Sequence, residues 1–379
     1  MKITILGPAH PFRGGIAALN ERLAVQLLQE GHEVNIISFT LQYPALLFPG
    51  KSQFSNDTAR FDFPITREVN SINPFNWLKT GKKIRRSMPD ILLVRFWIPF
   101  MGMSLGTICR EIKKNNHTKI IALVDNIIPH ENRPGDKFLS RYFIHHVDGF
   151  IAMSKSVLNN LTLFDKNKPK KFTPHPIYDH YGKIEPREKA LKKLLLDPRF
   201  RYILFFGFIR DYKGLDLLLE AFSDPYFRKM NIRLIVAGEF YSDESKYLQL
   251  IENYKLADQV ILKTDYIPNA EVENYFNAAD IVAQPYKSAT QSGVTQIGYH
   301  FNKPMLVTDV GGLAEIIQHG KAGYVVKTEA IEIRNALKDF FDQEREYEFT
   351  QNVILEKERF KWERMTETIY ELTNKLQNG

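Results

Sequence analysis

The segment Phe206-Gly207-Phe208-Ile209-Arg210-Asp211-Tyr212-Lys213-Gly214 carries the densest chemistry in the chain. An apolar run ends at Gly207, two cations follow three residues apart, and a helix-forming stretch opens near Gly214. A guanidinium and an ammonium beside the free amides of a helix N-terminus make an anion site of the kind that suits a pyrophosphate. The plainer alternative for an isolated Arg-x-x-Lys-Gly is a pair of ordinary loop cations. A second glycine loop lies at Gly14-Gly15, with Arg13 beside it. Glycines there permit close backbone approach and expose amide donors. A Gly-Gly pair marks many turns; its place between a first strand and a first helix makes it a candidate site.

These residues need a scaffold that ends strands at glycines and starts helices beside them. Residues 2–6 form a short apolar run ending at Gly7, and Ile16, Leu19, Leu23 and Leu27 then recur at helical spacing up to Gly31. Residues 34–39 supply the next apolar run, so the start reads as a βαβ unit and a parallel sheet. The pattern restarts with apolar runs at 202–206, 232–237, 260–262, 281–284, 305–308 and 324–326. Helical stretches at 215–222, 270–279 and 292–301 lie between them. Two doubly wound α/β halves are expected, separated in the Pro- and Gly-punctuated stretch 173–186. The domains are placed at 1–180 and 181–355, with 356–379 a C-terminal helix returning to the first domain. The stretch from about 349 to 377 reads as helical.

Composition narrows the function classes. The chain has 379 residues, 44% of them hydrophobic and 25% charged, which excludes a disordered or fibrous class. One cysteine, Cys109, excludes a disulfide framework and a Cys-rich zinc site. No secretory leader is expected, because the first apolar run reaches a turn at Gly7 too soon, and no spanning helix, because the uncharged stretch 96–109 is short and broken by Pro99, Gly102 and Gly106. The expected location is cytoplasmic, with peripheral attachment to the inner face of the membrane as an option. The net charge of +7 is uneven: residues 1–185 hold 25 Lys+Arg against 15 Asp+Glu, and the remainder 26 against 29. A polyanionic partner for the first half is one reading of that split, and a solvated basic surface is the other.

Several segments in order resemble the retaining glycosyltransferases of family 4, which have the GT-B fold. They are PFRGGIAALNERLAVQLLQEGHEV around Gly14-Gly15, HHVDGFIAMSKSV (145–157), the segment 206–221, NAEVENYFNAADIVAQPY (269–286), NKPMLVTDVGGLAEIIQHGKAGYVV (302–326) and FKWERM (360–365). The resemblance implies two Rossmann-like doubly wound parallel-sheet domains facing a central cleft, with a nucleotide-sugar donor on the second and an acceptor on the first. Matched residue by residue, Arg210 and Lys213 bind the donor diphosphate, Gly14 and Gly15 lie near the transferred sugar and phosphates, and Tyr266 faces the nucleobase or packs at an edge. The family uses no metal or other cofactor for this step, and the sequence contains no Asp-x-Asp pair.

Two segments depart from the family. Its Glu-x7-Glu motif falls on Ala289 and Ile297, neither of which can accept a hydrogen bond through its side chain. The amides of Ser292, Gly293 and Val294 still open a helix that can hold phosphates or ribose, with Gln296 or Gln291 replacing a lost contact. Alternatively, Thr290 and Ser292 only cap that helix. The second departure follows the apolar strand 119–124, where Asp125 stands in place of the family's histidine and His130-Glu131 come a few residues later. A carboxylate at 125 can contact sugar hydroxyls and balance a developing oxocarbenium ion, and His130 can shuttle an acceptor proton. A turn cap and a surface pair are the alternatives.

The expected activity is transfer of a hexose-type sugar from a nucleoside diphosphate to a glycan or lipid-linked hydroxyl, with retention. The rival is a non-catalytic sugar-nucleotide-binding protein on the same fold, favoured by the missing Glu pair. No nucleic-acid module accompanies the basic half. Phe75, Trp77, Leu78 and Ile84 beside Lys79, Lys82, Lys83, Arg85 and Arg86, with Arg110, Lys113 and Lys114 nearby, suggest an anionic membrane surface. A core helix with a solvated basic face is the alternative.

Overall fold

Strands buried on both faces need continuous apolar runs, and most strands of this protein are of that kind. The structure is a computed structural model that describes residues 1–44, 53–54, 61–128, 134–289 and 292–378. His130, Glu131, Thr290 and Gln291 lie outside the described residues. Two compact units are present: Met1–Pro176 with Lys361–Gly379, and Ile177–Phe360.

The first unit holds strands β1 (Lys2–Leu6), β2 (Glu33–Leu41), β3 (Ile65–Asn70), β4 (Ile91–Phe96), β5 (Lys119–Val124), β6 (Gly149–Ala152) and β7 (Lys170–Phe172). They form one sheet in the order β3-β2-β1-β4-β5-β6-β7, and every pairing is parallel. The second unit holds β8 (Arg201–Phe206), β9 (Ile232–Ala237), β10 (Val260–Lys263), β11 (Ile281–Gln284), β12 (Met305–Thr308) and β13 (Gly323–Val326). Their order is β10-β9-β8-β11-β12-β13, again parallel throughout. The order in which strands are added reverses once in each sheet, between β1 and β4 and between β8 and β11. Crevices at the carboxyl ends of such strand pairs are where open α/β sheets bind ligands.

The edge strands β3 (ITREVN) and β7 (KKF) are polar and largely accessible, so hydrophobic runs do not announce them. The C-terminal stretch is two helices, Glu346–Glu356 and Trp362–Asn378, separated by the 3-10 turn Lys357–Phe360. The second buries Trp362, Met365, Ile369 and Leu372 in the first unit, with Leu372 against Gly149. Thr366 donates to Glu30 at 2.8 Å, Tyr370 also donates to Glu30, and Arg22 lies 5.0 Å over the Trp362 ring.

The helix Gly102–Ile112 takes up most of the uncharged stretch and is almost wholly buried. Among the described residues no helix is long and apolar enough to cross a membrane.

Candidate active site

The turn after β8 is built around glycines that cannot be replaced without collision. Gly214 has φ +70, and a Cβ on it would lie 1.9 Å from the Pro285 carbonyl oxygen just past β11. Gly238, after β9, has φ +143 and would place a Cβ 2.3 Å from the Gly207 carbonyl oxygen. The loop is thereby pressed onto the ends of both neighbouring strands. Within it, Asp211–Lys213 form a 3-10 turn that leads directly into the helix Leu215–Phe222.

This folding tucks Lys213 inward. Its side chain is buried, its Nζ lies 3.0 Å from where a Gly207 Cβ would stand, and it sits 5.5 Å over the Tyr286 ring. Arg210 lies 5.1 Å over the Tyr241 ring. The two aspartates beside these cations are taken by other lysines: Asp211 by Lys246 at 3.1 Å and Asp216 by Lys287 at 2.5 Å. Among the described residues, neither Arg210 nor Lys213 forms an ion pair. Burial, with the Arg210 guanidinium beside it, pushes the Lys213 ammonium down to about 7. An uncompensated cation pair at a sheet's switch point is a place for a polyanion.

The other wall is the helix Gly293–His300. Ser292 precedes it but its side chain caps no amide; Oγ lies 3.3 Å from Tyr286 Oη instead. The reading of Ser292 as a simple cap is therefore set aside, and among the described residues no side chain caps the first-turn amides. Val294 Cγ2 comes within 3.5 Å of the Gly207 Cβ position, so Gly207, Lys213, Tyr286, Ser292 and Val294 converge on one spot. Gly293 packs against Tyr178, where a Cβ would lie 2.6 Å from the ring. Gln296 is fully buried, and neither its Nε2 nor its Oε1 has a hydrogen-bond partner among the described residues. Ile297 is buried too, and Ala289 lies in the turn before the helix. Tyr266 stands apart: it follows edge strand β10, two strands over from β8, and is half-buried in the loop before the helix Asn269–Ala278.

In the first unit, Gly14 (φ +112) precedes the helix Gly15–Gln29, and among the described residues nothing lies within 4 Å of its Cβ position. Asp125 follows β5 and is gripped by a residue that the sequence reading did not single out. Arg95, in β4, donates through Nε to Asp125 Oδ2 at 2.6 Å and through Nη2 to Oδ1. Arg95 is 1% exposed and its Nη1 has no partner among the described residues. Burial raises the Asp125 carboxyl above its usual range even with Arg95 opposing. Asn20 and the Arg95 Cβ crowd Gly7, where a Cβ would lie 2.6 and 2.8 Å from them. His175 is buried: burial, with the positive charge of Arg95 adding to it, lowers its imidazole to about 4, and Pro176 O accepts from its ring at 2.9 Å. One signal in the sequence marks Arg95: it is the sole charge in the otherwise apolar strand ILLVRF. Glu21, also unforeseen, accepts from the His10 amide at 2.5 Å, and burial lifts its carboxyl to about 7.

Two doubly wound parallel sheets, each with polar groups at its switch point, define the GT-B fold. The family comparison agrees. Residues 13–178 match the profile "Glycosyltransferase Family 4" and residues 186–356 match "Glycosyl transferases group 1", and this chain belongs to that family of glycosyltransferases. A D-inositol 3-phosphate glycosyltransferase of Segniliparus rotundus is 28% identical over 49% of this chain and 42% of its own length. The chain thus spans about two-fifths of the length of the curated relatives it first matches. An N-acetyl-alpha-D-glucosaminyl L-malate synthase of Bacillus anthracis is 23% identical over 86% of this chain and 84% of that protein. Among solved structures, Anabaena HepE in complex with UDP superposes with a TM-score of 0.74 at 15% identity, covering 99% of this chain and 100% of that one.

Proposed function

We propose that the protein transfers a hexose-type sugar from a nucleoside-diphosphate sugar to a hydroxyl of a glycan or lipid-linked acceptor, with retention at the anomeric carbon. The observation that carries this reading is Lys213: buried, next to Arg210, without a carboxylate partner among the described residues, and set between Gly207 and the helix Gly293–His300. When the glycosidic bond to phosphate breaks, negative charge grows on the departing diphosphate. Arg210, Lys213 and the amides of Gly293 and Val294 stabilise that charge more strongly than the ground state, which lowers the barrier. These groups come from the protein alone, so we propose a reaction without metal or other cofactor. Gln296 supplies an amide to the donor in place of the missing Glu pair. The basic first unit receives the acceptor at the inner face of an anionic membrane. The names of three relatives, a D-inositol 3-phosphate glycosyltransferase, an N-acetyl-alpha-D-glucosaminyl L-malate synthase and an alpha-monoglucosyldiacylglycerol synthase, support this class of reaction.

The test is a thermal-shift screen with UDP-, GDP-, ADP- and TDP-sugars, followed by transfer assays with the Arg210→Ala/Lys213→Ala variant. One donor should stabilise the protein, and the double variant should lose both the shift and turnover while still unfolding cooperatively. Normal turnover in the variant overturns the assignment. A second reading is favoured by Ala289 and Ile297 at the Glu positions: donor binding without transfer. Slow hydrolysis of the bound donor separates the two, because only a catalyst releases free sugar.

A further inference from the structure

The helix Pro74–Ser87 in the first unit presents two faces of opposite character. Trp77, Thr80, Gly81 and Ile84 are buried, whereas Phe75, Leu78, Lys79, Lys82, Lys83 and Arg86 are exposed. Trp77 and Ile84 therefore belong to the core and cannot serve as surface anchors. Phe75 is 85% exposed, Leu78 is 36% exposed, and Ile72, just before the helix, is 53% exposed. The start of the helix is held rigidly on β3: Asn73 accepts from the amides of Phe75 and Asn76, the Asn76 side chain bonds the backbone of Glu68 and Asn70, and Trp77 Nε1 donates to Asn70 O at 2.7 Å.

Between this helix and β3 runs an open groove of about 570 Å³. Its charged lining is Arg67, Lys79, Lys82, Lys83 and Arg86 against the single carboxylate of Glu68. Lys83 neutralises that carboxylate at 2.5 Å. No carboxylate among the described residues pairs with Lys79, Lys82 or Arg86. By contrast, Lys113 and Lys114 nearby are paired with Asp148 and Glu111.

From this juxtaposition we propose that the groove and the Ile72–Phe75–Leu78 edge form an interfacial site that seats the phosphate headgroups of an anionic membrane, with the apolar residues entering the acyl boundary. Unpaired cations alone would suit any polyanion; the exposed apolar side chains along the same edge are what favour a lipid surface. The proposal deepens the membrane-facing part of the functional reading but does not depend on the donor site, which lies in the other unit.

Vesicle co-sedimentation of the full chain tests it, with phosphatidylcholine vesicles compared with vesicles containing about one-third phosphatidylglycerol. Binding is expected only to the anionic vesicles, weakening as salt is raised. Each neutralised cation should cost about fivefold, so K79E/K82E/R86E should lose at least a hundredfold. F75S/L78S should lose about tenfold or more, because burial of two large side chains is removed. Both variants should keep the wild-type unfolding temperature and the wild-type donor thermal shift, since every changed residue is exposed. Equal binding to neutral vesicles, or none to anionic ones, overturns the proposal. Full retention by F75S/L78S together with competition by free inorganic phosphate also overturns it, in favour of a soluble anion site. Loss of the donor shift in wild-type protein, with vesicle binding intact, would count against the transferase reading alone.

Discussion

The Lys213 ammonium lies 3.0 Å from the point where a Cβ on Gly207 would stand, so the absence of a side chain at 207 is what lets the lysine fold inward over its own loop. Gly207 also has φ +93. Gly207→Ala should therefore act twice. Stability should fall by about 1–2 kcal/mol from the backbone strain, and donor affinity should fall by roughly tenfold as Nζ is displaced. Denaturant melts and donor titrations measure the two effects separately.

Lys213 also makes donor binding pH-dependent. Its ammonium is pushed down to about 7 by burial and by Arg210. A bound diphosphate restores the charged form, so binding above pH 7 takes up a proton, and affinity should fall by up to tenfold per pH unit between about pH 7.5 and 9. Calorimetry in two buffers of different ionisation enthalpy should show that proton. Lys213→Arg, which stays charged, should bind without it. For folding the sign is the opposite of a stabilised lysine: the unfolded chain binds the extra proton, so stability from this group rises as pH increases from about 7 toward the ordinary lysine value of 10.5.

Gly214→Ala should be more damaging than any change to an exposed loop residue. Its Cβ would meet the Pro285 carbonyl at 1.9 Å with φ at +70. A loss of about 3 kcal/mol or more is expected from the clash and strain together, read as a lowered urea midpoint at unchanged slope.

Breaking the Arg95–Asp125 pair from one side leaves a buried charge or carboxyl unmatched. Arg95→Met should destabilise by about 3–5 kcal/mol. The Arg95→Met/Asp125→Asn double variant should recover part of that loss, and a double-mutant cycle measures the coupling. An additive result would show that the pair contributes nothing beyond its separate side chains.

Gln296 separates stability from function. Both its polar atoms are buried without partners among the described residues. Gln296→Leu should therefore raise stability by about 1 kcal/mol while weakening the donor by several-fold. A melt and a donor titration on the same sample check both directions; unchanged donor affinity would return Gln296 to a packing role.

The alternation of strands and helices was readable because parallel strands buried on both faces must be mostly apolar along their length, as in β5, β9 and β11. The helix Leu215–Phe222 and the strands β9, β11 and β12 fall where the apolar pattern places them. The edges β3 and β7 escaped because one side of an edge strand faces solvent and carries charge. The residues Gly207, Arg210, Lys213 and Gly214 were visible as a local motif, since strand, turn and helix follow one another without a break. Trp77 and Ile84 were visible as apolar but not as core, because a helix pattern leaves open which stripe meets a neighbour.

The sequence alone determined the two α/β halves, the family and the identity of the loop cations. These properties are set by periodicity and by residues adjacent in the chain. Only the tertiary structure decided which charges remain uncompensated. Asp211 and Asp216 sit beside Arg210 and Lys213 in the chain, yet they are matched by Lys246 and Lys287, 35 and 71 residues away. Asp125 is matched by Arg95 through the register that aligns β4 with β5. Coulomb energy and desolvation depend on distance and burial in three dimensions, and neither quantity is written in the order of residues along the chain.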